Sequence, residues 1–295
     1  VGERPMFSLD LLLNAMVAGI LIGGFYAAVS LGISVSFGLL DIVNIAHPAF
    51  VILGSYTAYA MNRFFGFDPL LTGLLFTPVF YALGVVVYRL YYLGFERKGE
   101  ESLRGLVFFF GVLFIVEVAL LLAYGVDYRM IEARYVGQSF HIGVVGIAFR
   151  LLLPCLVGLM VTVALHLFLS KTFYGRAIKA VSQDSQALRL MGVNPVKIKR
   201  IAFALSIATA SLAGALLILI GPVEPSIGRE YIGRVFAIVV LGGMGSISGT
   251  LAASVILGVV ESLTATFSGP SWAPAVSFGI LLVVLAVRPA GLFGR

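Results

Sequence analysis

Charged residues are scarce in this chain: they make up 12% of its 295 residues, whereas 60% are apolar. A soluble domain carries roughly 25% charged residues, so much of the usual solubilising charge is missing. A globule of this size would still need a polar surface toward water. The composition therefore excludes a water-soluble enzyme, a disordered chain and a disulfide scaffold, and a mean hydropathy of +1.06 predicts a polytopic membrane protein.

Residues that carry out chemistry are also few. The one cysteine, Cys155, cannot form an intramolecular disulfide, and His47, His141 and His166 have no metal-ligand spacing. No phosphate loop of the form G-x-x-x-x-G-K-[ST] occurs, and the glycines of 243–249 are spaced one residue too far apart for a dinucleotide fingerprint. We therefore expect no enzymatic activity, no metal site and no cofactor bound by this chain.

Long apolar runs predict membrane-spanning helices, because a helix needs about 20 apolar residues to cross the hydrocarbon. The second and seventh runs are too long for one straight helix, and each contains helix breakers, Gly38 with Asn44, His47 and Pro48 in one and Gly242 to Gly249 in the other. Splitting the seventh run gives eight to nine crossings in a single all-α transmembrane domain, residues 1–295. The predicted segments are 10–31, 34–61, 69–90, 103–124, 148–170, 201–221, 232–267 and 274–289.

Basic residues predict the orientation, because cytoplasmic loops carry an excess of lysine and arginine. The longest polar segment, 171–200, contains seven such residues against one acid, Asp184, and 89–104 is also basic. Both are predicted to be cytoplasmic. In 222–234 two acids and two arginines cancel, so that segment is predicted to be external. Counting crossings then places the C-terminus in the cytoplasm and the N-terminus outside.

Within the cytoplasmic segment, residues 176–191 are predicted to form one helix with a stripe of small and apolar side chains. Gly192 suits a left-handed C-terminal cap, and Pro195 follows just beyond it. Such a helix could lie flat on the membrane. It could instead be presented to a cytoplasmic partner, with the small side chains filling a groove of that partner.

Two acids, Glu117 and Glu261, lie inside apolar runs, where a charge costs roughly 2.5–3.5 kcal/mol at a helix centre. Each either makes a packing contact to a neighbouring helix or faces a translocation path. The glycine cluster at 242–249 has two interpretations as well. It either lets helices approach closely, or it interrupts a helix that lines a polar cavity.

Four segments together resemble a known family. Gln186–Gly192 is a degenerate form of the glutamate-alanine-alanine-x-x-x-glycine loop of ATP-binding cassette importer permeases, with Gln186 in place of the acid. Asp41–Phe50 is similar to an early asparagine-x-alanine-histidine element, Leu241–Gly249 to a late glycine-rich signature, and Arg288–Arg295 to the usual end. The combination resembles permeases of the branched-chain (hydrophobic) amino acid uptake family, and the compact length resembles the first permease of the pair.

The resemblance implies a permease subunit in a bacterial-type cytoplasmic membrane. Its implied partners are a second homologous permease, two cytoplasmic ATPase subunits that use ATP, and an external substrate-binding protein. Residues implied to couple to the ATPase are Gly175, Arg176, Asp184, Gln186, Ala187, Leu188 and Gly192. Candidates for the translocation path are Asn44, His47, Glu117, Gly242, Gly243, Gly245 and Glu261.

Two questions remain open at this point. The alternative function is a stand-alone secondary carrier or channel for small polar solutes such as urea or amides, which would not need a cytoplasmic docking helix. The substrate is open too, since relatives of this kind take up branched-chain amino acids, urea, amides or aromatic acids.

Overall fold

The computed structural model describes residues 8–99, 103–131, 133, 135–288 and 290–294. These residues form α-helices and one short β-hairpin, which confirms the predicted all-α polytopic fold. Pro289 and Arg295, from the predicted C-terminal segment, lie outside the described residues. In chain order the elements are α1 Leu9–Ser36, α2 His47–Phe65, α3 Pro69–Gly94, α4 Leu103–Tyr124, β1 Ser139–Ile142, β2 Val145–Ala148, α5 Phe149–Lys171, α6 Phe173–Gln183, α7 Ser185–Leu190, α8 Pro195–Ile220, α9 Gly228–Gly242, α10 Ile247–Phe267 and α11 Ala273–Val287.

Seven helical segments of the described residues are long and apolar enough to cross a membrane, and they contain α1, α3, α4, α5, α8, α10 and α11. The other two helices at predicted spans, α2 and α9, have 19 and 15 residues. At about 1.5 Å per residue, α9 is about 22 Å long, less than the roughly 30 Å of a hydrocarbon core. The expected eight to nine crossings thus correspond to seven segments that meet the length and hydropathy criteria together and two helices, α2 and α9, that do not.

The helix starts follow from local sequence. Ser8, Asp68, Thr172, Asn194 and Ser246 each precede a helix, and each side chain accepts a hydrogen bond from a backbone N–H of the first turn. These caps satisfy donors that have no partner within the helix. The predicted second segment began too early, because residues 34–36 still belong to α1 and 37–46 are not helical.

Small residues set how the helices pack. In lipid, association relies on close contact between helix backbones rather than on burial from water. Gly23 on α1 lies against Ser254 and Val255 of α10, and Gly24 lies against Cys155 of α5. A Cβ on either glycine would collide with the facing helix. The two most buried spanning helices, α1 and α8, therefore form the centre of the bundle.

Side-chain hydroxyls join α8 to its neighbours. The Oγ of Ser55 on α2 donates to the carbonyl oxygen of Gly214 at 2.7 Å, and the Oγ of Ser211 donates to that of Gly73 on α3 at 2.8 Å. Both serines are buried. These bonds cross between helices where glycine leaves the backbone carbonyl accessible.

The connections at one end of the bundle contact one another. The Asn14 side chain on α1 donates to the carbonyl oxygen of Val144 and accepts from the N–H of Gly146, both at 2.9 Å, which ties α1 to the hairpin before α5. Arg129 pairs with Val223 in an antiparallel bridge. Because α5 runs from this end to the basic segment 171–200, the start of α1 lies opposite that segment. This geometry agrees with the predicted external N-terminus.

The packing of α1 on α10 gives a first prediction. Gly23→Val places a Cβ about 2.6 Å from the Cα of Val255, so we expect the free energy of unfolding to fall by about 1–3 kcal/mol. The matched control is Gly111→Val on α4, where a Cβ meets nothing within 4 Å. Thermal unfolding of both purified variants in detergent measures the difference. Equal unfolding temperatures would show that the close approach does not matter.

Candidate functional site

The two predicted helix breaks meet in space. Between α9 and α10 the chain leaves the helix, with Gly243 at φ +87° and Gly245 at φ +80°, a region that favours glycine. The predicted interruption of the seventh segment is therefore confirmed. Gly38, in the break between α1 and α2, lies directly against Gly245, and neither position has room for a Cβ. The two breaks thus form one junction.

Further backbone contacts close this junction. Gly242 packs on Gly249 across the turn, and Gly243 packs on Gly294 near the end of the chain. The N–H of Leu292 donates to the carbonyl oxygen of Leu241 at 2.8 Å. The structure therefore brings the glycine-rich segment and the C-terminal segment of the resemblance together, at the end of the bundle nearest α6.

Asn44 and His47 are fully buried beside the same break. The His47 Nε2 lies 3.2 Å from the carbonyl oxygen of Val29, and the imidazole ring occupies the space that a side chain at Gly32 would need. Among the described residues, neither polar atom of the Asn44 side chain has a hydrogen-bond partner, nor does the His47 Nδ1. Both candidates therefore lie inside the bundle in this conformation.

A cavity of about 450 Å³ separates the junction from the cytoplasmic segment. It is lined by Gly38 and Gly245 of the junction and by Lys179, Ser182 and Gln183 of α6. The two helix breaks and α6 therefore border the same space.

The cytoplasmic segment is not the single helix that the sequence predicted over 176–191. The helix ends at Gln183, and α7 starts at Ser185. Asp184 has extended backbone and caps α7, since its Oδ1 accepts from the N–H groups of Gln186 and Ala187 at 2.8 and 2.9 Å. This local bonding outcompetes continuation of the helix. Gly192 has φ +79°, as its predicted capping position requires.

The candidate coupling residues divide into inward and outward groups. Gly175 is buried against Phe168 and Leu169 of α5, and Leu188 is buried in the core of the chain. Arg176, Asp184, Gln186 and Ala187 are exposed. Leu190 and Met191, which the candidate set did not include, are 90% and 80% exposed. The inward pair can position the loop, and the outward residues are available to a partner.

The two intramembrane acids do not meet, since each pairs with a different arginine of α9. Glu117 on α4 accepts from the Nε of Arg229 at 2.8 Å, and it also pairs with the Nη2 of that arginine. Glu261 on α10 is buried and accepts from the Nε of Arg234 at 3.0 Å. Sequence reasoning missed both arginines because it assigned them to an external loop with cancelling charges.

Glu261 is the centre of a network that joins four helices. The Tyr26 hydroxyl on α1 donates to its Oε2 at 2.6 Å, and the Ser277 hydroxyl on α11 donates to its Oε1 at 2.8 Å. Arg234 supplies the counter-charge from α9. A buried carboxylate is tolerated when charge and hydrogen bonds compensate it. The geometry therefore favours a structural role for Glu261 beside any role in transport.

Comparison with known proteins gives a consistent result. A family model described as branched-chain amino acid transport system / permease component matches residues 15–285. The high-affinity branched-chain amino acid transport system permease protein BraD of Pseudomonas aeruginosa is 30% identical over 295 residues, which cover 96% of each chain. The LivH protein of Escherichia coli K12, with the same description, is 28% identical over 301 residues, again 96% of each chain.

A second permease type matches less of its own length. LivM of Escherichia coli K12 is 29% identical over 290 residues, which cover 90% of this chain and 67% of LivM. The chain is therefore similar in extent to BraD and LivH and covers about two thirds of LivM. No solved structure matches significantly.

The Glu261 network gives a second prediction. Glu261→Gln or Arg234→Gln alone should lower the free energy of unfolding by about 3–5 kcal/mol, because the remaining charge stays buried without its partner. The double variant should lose clearly less than the sum of the two. Unfolding of the four proteins in mixed detergent and SDS measures this coupling. The control cycle uses Glu117→Gln and Arg229→Gln, where the arginine side chain is 53% exposed and a smaller coupling is expected. Additive losses at Glu261 and Arg234 would contradict the network.

Proposed function

Because the chain belongs to the family of branched-chain amino acid transport system permease components, we propose that it forms half of the translocation path of an ATP-driven importer for branched-chain or related hydrophobic amino acids. Its relatives are described as permease proteins, not as enzymes. The chain itself is a multi-pass membrane protein with seven helices capable of spanning a bilayer among its described residues. Hydrolysis of ATP then takes place on separate partner subunits.

The observation that carries the coupling part of the proposal is the exposed apolar tip of α7. Ala187, Leu190 and Met191 follow helical spacing, so they share one face, while Leu188 faces the core. Large apolar side chains exposed on a basic cytoplasmic segment are typical of a surface that a partner protein covers. Arg189 lies within this tip, and Arg176 lies on the preceding helix α6; both are exposed and would orient an acidic partner surface.

The same loop is mechanically connected to the path. The α6 helix packs on α5 through Gly175 and on the core through Ile178 and Val181. Its other side lines the cavity next to the Gly38–Gly245 junction. A partner that moves α7 would therefore transmit the motion through α6 to α5 and α8, which both pack on α1.

Surface chemistry distinguishes the faces toward lipid and toward a second permease. The outward surfaces of α4 and α5 carry large exposed apolar side chains, including Val107, Phe110, Ile115, Val118, Leu122, Leu156, Met160 and Val163. The outward face of α9 instead exposes Arg229 and Glu230. Charges at this depth are costly toward lipid. The α9 face would therefore adjoin a second permease or the aqueous path, and the existence of LivH-type and LivM-type relatives supports a second, related permease.

The rival function, a gradient-driven carrier for urea or amides, receives less support. A proton relay needs acids within reach of one another, whereas Glu117 and Glu261 are each paired with their own arginine. A carrier would also have no use for the exposed apolar tip on α7.

If the exposed face of α7 docks on an ATPase subunit, a charge introduced on that face should impair coupled ATP hydrolysis. Ala187→Asp places an acid in the apolar contact, at a cost of a few kcal/mol, so substrate-stimulated ATP hydrolysis by the assembled transporter should fall at least about tenfold. Membrane insertion and folded yield should stay unchanged. Ser185→Asp is the matched control, because it adds the same charge to a different face of α7, at the helix start where an acid is favourable. Wild-type hydrolysis in the Ala187 variant would refute the docking role.

If transport requires the other subunits of the importer, this chain alone should transport no substrate. Purified and reconstituted in vesicles, it should show no saturable leucine uptake under an imposed proton or sodium gradient. Uptake should appear when the second permease, the ATPase subunits, the binding protein and ATP are supplied together. Gradient-driven uptake by the lone chain would favour the secondary carrier instead.

A further inference from the structure

A cavity of about 410 Å³ lies between α9, α10 and α11. Its lining includes Glu230 and Arg234 of α9, with Glu261 of α10 beside them, and Arg229 of α9 lines the cavity as well. Pro274 and Phe278 of α11 add apolar surface to the lining. The site therefore combines both signs of charge with an apolar surface.

Neighbouring groups fix the Arg234 side chain, and its Nη groups remain able to donate hydrogen bonds. Its Nε bonds Glu261, and its guanidinium lies over the rings of Tyr26 and Tyr231, 5.4 and 5.2 Å from their centroids. In the described part of the chain, no acceptor is bonded to its Nη groups. The side chain keeps 16% of its surface exposed. A fixed guanidinium with free Nη–H groups is suited to a carboxylate.

Glu230 supplies the opposite charge next to it. The two residues are four positions apart on α9, so they share one face, with roughly 5–6 Å between their Cβ atoms. Arg234 is committed to Glu261, and Glu230 is exposed without an ion-pair partner among the described residues. Arg229 also lines the cavity, but its Nε and Nη2 are both bonded to Glu117. Arg234 and Glu230 are thus a cation and an anion side by side, each with hydrogen-bonding capacity left.

The depth of the cavity within the bundle also bears on what it could bind. Glu261 lies six residues before the end of α10 at Phe267, about 9 Å along the helix from the side predicted to be external. A substrate arriving from outside would reach this depth early. Because charged side chains at this level are costly toward lipid, the cavity is expected to open to protein or to water.

We propose that this cavity is a transit subsite for the zwitterionic backbone of an amino acid. The Arg234 guanidinium binds the carboxylate, Glu230 binds the ammonium group, and the side chain lies against Phe278 and Pro274. The inference rests on the proposed function. It implies that the permease reads the backbone shared by all amino acids, so that selection among side chains is left to another component.

The test measures leucine binding to the purified permease pair, without binding protein, by saturation-transfer NMR. Leucine should bind, whereas leucinamide, which lacks the carboxylate, and 4-methylpentanoate, which lacks the ammonium group, should not compete. Glu230→Gln should weaken leucine binding at least about tenfold, because it removes a charged hydrogen-bond partner. Arg234→Lys keeps the charge but loses the fork, and it should weaken leucine binding as well.

Asp127→Asn is the matched control, since this acid is 76% exposed on the same side and does not line the cavity. If Arg234→Lys fails to fold, leucine binding by the Glu230→Gln variant alone tests the subsite. Unchanged leucine binding in Glu230→Gln, or equal competition by either analogue, would overturn the subsite. Displacement of leucine by phosphatidylglycerol nanodiscs but not by phosphatidylcholine nanodiscs would reassign the cavity to a lipid headgroup and overturn it too.

Failure of the subsite and failure of the proposed function are distinguishable. If the complete wild-type transporter takes up no amino acid, the importer function fails. If wild-type uptake occurs and Glu230→Gln leaves both uptake and leucine binding unchanged, only the subsite fails.

Discussion

A peptide group within a lipid bilayer has no water to bond, so every interruption of a helix must be closed by the protein itself. Two such interruptions occur in the part of the chain that the structure describes, and they lie against each other, Gly38 on Gly245. The bond from Leu292 to Leu241 closes the remaining side. The rest of the bundle follows from this junction, because α1, α9 and α10 must all reach it while remaining packed on one another.

Charged side chains within the bilayer also need a partner from the protein. The chain has few charged residues, and two acids at membrane depth are each paired with an arginine, Glu117 with Arg229 and Glu261 with Arg234. Both arginines belong to α9, which is not among the seven segments capable of spanning the membrane. This one helix therefore carries the counter-charges for two neighbouring helices, α4 and α10.

Much of the fold could be predicted because its signals are local. Apolar length predicted the spans, and the glycine clusters predicted the breaks. Asp184, by contrast, was taken as one residue within a helix, although an aspartate before Ser185 and Gln186 is an ordinary capping pattern. The partners of Glu117 and Glu261 could not be predicted, because they are more than twenty residues away and the pairing depends on how α9 packs. The burial of Leu188 could not be predicted either, because the sequence around it does not show which face of α7 packs on the core.

The position at which α9 begins has an electrostatic consequence. Peptide dipoles give the N-terminal end of a helix a partial positive charge of about half a unit. Gly228, where α9 begins, is buried, and the adjacent Arg229 meets Glu117, seven residues before α4 ends at Tyr124. The positive end of this dipole therefore lies below the membrane surface, where water screens it less. The entrance region near α9 is consequently more favourable to an anionic group than its formal charges alone indicate.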